Sequence, residues 1–219
     1  MPERSPALPR HSLISTAIWL SVVTISWNVV SGGLALGASL ITGSLSLGGF
    51  GLNALIDMSA SSVLVWRFWK DADDPEAAAR LERRAEIAIG VAMLGVAIYL
   101  IVQSLHALVT GSRPKTSAVG LGVTIASLAL LPWLSHRKAR VALRLPSRAL
   151  RADAILTGAS AALAALTLAA LVANSAFGWW WADATAALMI AAALVVEVAR
   201  AARTIRVRAG TDGLKPGFD

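Results

Sequence analysis

The chain has 219 residues, 56% of them hydrophobic and only 15% charged, with a net charge of +7 and a mean hydropathy of +0.65. A soluble domain carries about a quarter of its residues as charged side chains, so a soluble globular protein is excluded and a multispanning membrane protein is expected. The absence of cysteine rules out disulfides and thiolate metal sites, and the basic residues gather between apolar runs, which reads as membrane topology and not as a nucleic-acid surface.

Six apolar segments follow one another, each near the roughly 20 residues that cross a hydrocarbon core. The first, Leu13–Ala38, is preceded by Arg4 and Arg10. Its apolar run outlasts the roughly 7–15 residues of a signal-peptide core, so it is read as a retained span. The stretch "GASLITGS" supplies the glycine and serine of a tight reversal into the second segment, Ser44–Phe68. The third is Ala85–Val109, with Gly90 and Gly95; the fourth is Ala118–Ser135. After the basic "HRKARVALRLPSR" comes the fifth, Leu150–Asn174, and the sixth, Trp179–Arg200, opens on three tryptophans. No alternation of polar and apolar residues argues for a barrel, and the runs are too long for strands, so all six are predicted to be helices. Gly90, Gly95, Ser59 to Ser62 and the alanines of the last two segments predict close helix packing.

Lys and Arg are distributed unevenly over the connections. Arg67, Lys70, Arg80, Arg83 and Arg84 lie between the second and third spans, and Arg137, Lys138, Arg140, Arg144, Arg148 and Arg151 between the fourth and fifth. Arg200, Arg203, Arg206, Arg208 and Lys215 follow the sixth, whereas the opposite side has only Arg113 and Lys115. The asymmetry predicts that both termini are cytoplasmic, with Trp179, Trp180 and Trp181 as an anchor at the outer interface.

Within the second span, "GFGLNALIDMSASSVLVW" carries Asn53 and Asp57 in an otherwise apolar run. Burying a carboxylate in hydrocarbon is costly unless a cation, donors or water compensate it. Helical rise puts Asp57 about 16 Å from Phe68, with Asn53 one turn further out on the same face. Asn28 of the first span reaches a similar level. In the fifth span Asp153, Thr157 and Ser160 share a face, with Asp153 nearer the inner mouth. These six residues form the candidate metal site: Asp57, Asn53, Asp153, Ser160, Thr157 and Asn28. Plainer roles exist beside that one. Thr157 and Ser160 can bond carbonyls of the preceding turn, and the asparagines can serve as interhelical glue. Asp183 admits three roles: a cap on its own helix, a partner of Arg113, or a cation ligand. Glu197 is expected in a surface ion pair among arginines, and His106 and His136 as interfacial structural residues. No catalytic motif suggests an enzyme or a permanently bound cofactor.

The second-helix sequence "GSLSLGGFGLNALIDMSASSV", the "SRALRADA" that starts the fifth, and "WWWADATAALMIAAALVV" of the sixth together resemble the membrane domain of cation diffusion facilitators, over nearly all of Leu13–Arg200. The resemblance implies an all-α polytopic membrane protein with residues 13–200 as one six-helix transmembrane domain. Short cytoplasmic tails are expected at 1–12 and 201–219, without a soluble C-terminal domain. It implies a homodimeric exporter of the plasma membrane that exchanges a divalent cation (Mn, Zn, Co, Fe or Mg) for protons. The family's transport site takes two side chains four apart on each of the second and fifth helices. In this chain those positions are Asn53 and Asp57, and Leu156 and Ser160. Only Asp57 keeps the expected ligand type. The altered positions leave open an alternative, a transport-inactive relative acting as a scaffold or regulatory subunit.

Overall fold

The computed structural model describes residues 10–70, 75–115, 117–145 and 148–212. Arg4 and Lys215, with most of the first expected tail and the end of the second, lie outside the described residues. Six helices follow in order: α1 (Arg10–Thr42), α2 (Leu45–Lys70), α3 (Pro75–Thr110), α4 (Ala118–Arg144), α5 (Arg148–Phe177) and α6 (Trp180–Asp212). All six contain a stretch long and apolar enough to cross a membrane, and among the described residues there is no strand. An all-helical, multipass membrane architecture is what the composition predicts.

The helices are longer than the apolar runs. α4 continues through Arg137 to Arg144, and α6 runs past Arg200 to Asp212. Helical hydrogen bonding has no reason to stop where apolar side chains do, because arginine is itself a good helix former. The first reversal is tighter than "GASLITGS" suggests. α1 extends to Thr42, and the chain turns at Gly43, whose φ of 73° is favourable only for glycine.

α2 is the centre of the bundle: 61% of its most apolar stretch is buried, against 22% for α3. It packs on α1, α3, α5 and α6. Leu47, Phe50 and Ile56 of α2 join Leu100, Leu163, Ile190 and Leu194 in the main apolar core. A smaller cluster of Leu20, Leu131, Leu134 and Ala161 ties α1 to α4 and α5. Close helix approach occurs at glycines of α2. A side chain at Gly49 would meet Leu100 and Ile190, at 2.9 and 3.4 Å. Gly90 and Gly95 of α3, expected at close contacts, have open space where a side chain would stand. On the described part of α3, Ile87, Val91, Ile98 and Val102 are exposed.

One end of the bundle is knitted by polar contacts. The Lys115 amide donates to the Thr42 carbonyl (2.9 Å), and the Asn174 side chain to the Pro114 carbonyl (2.9 Å). Trp179 and Trp181 stack at 5.4 Å at this end, about half exposed, as an interfacial anchor requires. Asp183, 2% exposed, accepts 2.6 Å hydrogen bonds from the Ser44 and Ser46 hydroxyls and from the Leu45 amide. None of the three roles expected for it describes this. Asp183 caps the N-terminus of α2, not of its own helix, where its charge meets the helix dipole and otherwise unpaired donors. Asp183→Ala would strand those donors and is expected to lower stability by about 3 kcal/mol. Asp183→Asn keeps one acceptor oxygen and should lose less. Thermal unfolding of the detergent-solubilised protein measures both.

Candidate cation site

All six residues singled out in the sequence are at most 4% exposed: Asn28, Asn53, Asp57, Asp153, Thr157 and Ser160. They come from α1, α2 and α5 and arrange themselves in two layers.

The first layer surrounds Asp57, which is fully buried. Asn28 Nδ2 donates to Asp57 Oδ2 at 2.9 Å, so the shared depth expected of α1 and α2 is met. One turn back on α2, Asn53 Nδ2 donates to Ser160 Oγ of α5 at 2.9 Å. Ser160 in turn donates to the Leu156 carbonyl at 3.2 Å, the plain role expected of it. The other carboxylate oxygen, Asp57 Oδ1, is buried and has no hydrogen-bond partner among the described residues. Leu156 packs against the main apolar core, so the one position that has lost any donor atom serves as packing.

The second layer is built on Asp153, and its central partner was not foreseen. Lys138 of α4 is fully buried, and its Nζ lies 2.6 Å from Asp153 Oδ2. The ammonium also reaches Thr157 Oγ1 at 3.1 Å and Ser61 Oγ at 3.4 Å. Ser61 donates to Asp153 Oδ1 at 2.6 Å, while Thr157 donates to the Asp153 carbonyl at 3.0 Å. Asp153 therefore contributes a neutral ion pair to the bundle, with both oxygens engaged. Lys138 was counted with the basic run between the fourth and fifth spans. Its spacing from Leu131 and Leu134, both buried, puts it on the inward face of α4, and that periodicity is the signal that marks it.

Glu197 is also displaced from expectation. It is half-buried, attracted by Arg200 but close enough to Asp57 for the two carboxylates to repel each other. Its Oε2 is buried without a hydrogen-bond partner among the described residues. A simple surface ion pair does not describe it. His106 and His136 are exposed, and no group of three or more His, Cys, Asp or Glu among the described residues is arranged to hold a metal.

Six membrane-spanning helices around a buried Asp on the second and polar side chains on the fifth invite comparison with known transporters. Residues 21–206 match the cation efflux transmembrane domain. The chain belongs to the cation efflux family. At the four positions of the second and fifth helices singled out in the sequence, this chain carries a single carboxylate, Asp57. The chain is also 28% identical over 137 residues to transmembrane protein 163 of Xenopus laevis, a match covering 63% of this chain and 48% of that protein. The chain thus aligns with about half the length of that curated relative.

Removing one partner of a buried ion pair leaves an uncompensated charge, whereas removing both is often nearly neutral. Lys138→Met is therefore expected to cost about 3–5 kcal/mol, and Lys138→Met/Asp153→Leu to recover more than half of that loss. Denaturation of the four proteins of this cycle in the same detergent checks the expectation.

Proposed function

We propose that this cation efflux protein exports a divalent metal ion across the plasma membrane in exchange for protons, with Asp57 as the group that holds each in turn. The observation that carries the reading is the buried carboxylate itself, one oxygen held by Asn28 and the other, Oδ1, without a partner. In a low-dielectric interior an ionised carboxylate needs a positive companion. A metal ion can leave such a site at small electrostatic cost only as a proton arrives, and this charge balance couples the two movements.

The donors near Asp57 are oxygens: its own carboxylate, the Asn53 carbonyl and the Ser160 hydroxyl. Such a set suits a harder ion such as Mn²⁺ or Mg²⁺ better than zinc, which favours histidine nitrogen or thiolate. Access from alternate sides follows from rocking of helices about a midplane site. The basic clusters at the end that carries both termini support a cytoplasmic location for that end. The resemblance to the family supports assembly as a homodimer.

A second reading, a transport-inactive scaffold or regulatory subunit, is favoured by Leu156, which fills a ligand position with packing. Reconstitution into liposomes with an ion-sensitive dye separates the two. The wild type is expected to move Mn²⁺ against an imposed proton gradient, and Asp57→Ala to leave only the leak of empty vesicles. Equal fluxes for the two proteins would eliminate transport through this residue.

A further inference from the structure

A divalent ion held by Asp57 alone would keep an excess positive charge in hydrocarbon. Asn53 and Ser160 are neutral, and Asp153 is cancelled by Lys138. The charge that is missing lies on a helix that the sequence pattern of the site does not include.

The register of α2 against α6 fixes where to look. Both helices start at the same end of the bundle, because the carboxylate of Asp183 caps Leu45 and Ser46. One to two turns on, Gly49 packs against Ile190. Two further turns bring α2 to Asp57 and α6 to Glu197, at about 1.5 Å per residue on each. Ile190, Leu194 and Glu197 are spaced i, i+4 and i+7, so Glu197 shares the face of α6 that enters the main apolar core, where Ile190 meets Gly49 of α2. The carboxylate lies within electrostatic reach of Asp57, with Arg200 one turn beyond it. Two buried carboxylate oxygens lack a hydrogen-bond partner among the described residues, Asp57 Oδ1 and Glu197 Oε2, and they come from these two residues.

We infer that Glu197 of α6 is the second acidic ligand of the cation site, so that a divalent ion is held between α2 and α6 by Asp57 and Glu197. The inference rests on the transport reading and supplies it with a second negative charge, which Arg200 offsets in part. The site is thereby shifted away from α5, whose Leu156 coordinates nothing and whose Ser160 is engaged by Asn53. Repulsion between the two carboxylates makes the pair unfavourable without a cation or protons between them, and Arg200 offsets only part of it.

The test is binding of Mn²⁺, with Zn²⁺ in parallel, to purified protein in nanodiscs by titration calorimetry, accompanied by thermal unfolding and gel filtration. Wild type, Asp57→Asn, Glu197→Gln and the double variant Glu197→Gln/Asn53→Asp are compared. Affinity for hard cations is set largely by the number of charged ligands, so Glu197→Gln is expected to bind about tenfold or more weaker while eluting and melting like the wild type. The double variant moves a carboxylate to the neighbouring position on α2 and is expected to regain most of the affinity. Binding by Glu197→Gln within twofold of wild type, with Asp57→Asn inactive, would overturn the role of Glu197 and leave the transport reading standing. A loss that the well-folded double variant does not restore assigns Glu197 to packing and overturns it as well. A wild type that binds neither ion removes the transport reading and this inference together.

Discussion

A hydrocarbon layer offers no water to a buried carboxylate, and the packing of this bundle is organised by the ways in which three aspartates are compensated. Asp183 is met by two serine hydroxyls and a backbone amide at the start of α2. Asp153 is met by the ammonium of Lys138 and the hydroxyl of Ser61. Asp57 is met on one oxygen by Asn28 and on the other by nothing among the described residues. The first two are closed arrangements, in which every partner comes from another helix and so draws α2, α4, α5 and α6 together. The third is open, and the proposed cation site rests on that open acceptor.

The same accounting explains why the bundle tolerates so much polar surface in its interior. Asn53 with Ser160, and Lys138 with Thr157, use side chains that neighbouring helices leave at the same depth. Each link crosses between helices, which apolar packing alone would not orient, since lipid tails compete equally well for leucine. Belonging to the cation efflux family accounts for the helix order, while the Lys138–Asp153 pair ties α4 to α5 within it.

Much of this could be read from the sequence, and the parts that could not share a physical cause. Helix number and the depth of Asp57 follow from run length and rise per residue, which are local quantities. Five polar residues of the site are legible because they stand in apolar runs, and Asp153 because it shares a helix face with Thr157 and Ser160. Lys138 reads only as part of the basic run and Glu197 only as a surface ion pair because each stands among other charges, where the count of basic residues along the chain masks which side of the helix a residue occupies. Asp183 was recognised as a possible cap, but its helix was mistaken. The donors it meets lie at Ser44 to Ser46, far away in sequence, and nothing local to α6 specifies them. Gly90 and Gly95 show the converse: composition suggests close packing, and no neighbour among the described residues lies where a side chain would stand.

The grip of Asp183 on the first turn of α2 makes that end of the helix pair a pivot. Any tilt of α6 relative to α2 then acts as a lever whose arm grows away from the tryptophans, reaching about 18 Å at the level of Asp57. A swing of roughly 5° on such an arm displaces side chains by about 1.5 Å, half the width of a hydrogen bond. Small angular motions are thereby amplified where the unpartnered oxygens lie and cancelled where the serines are held.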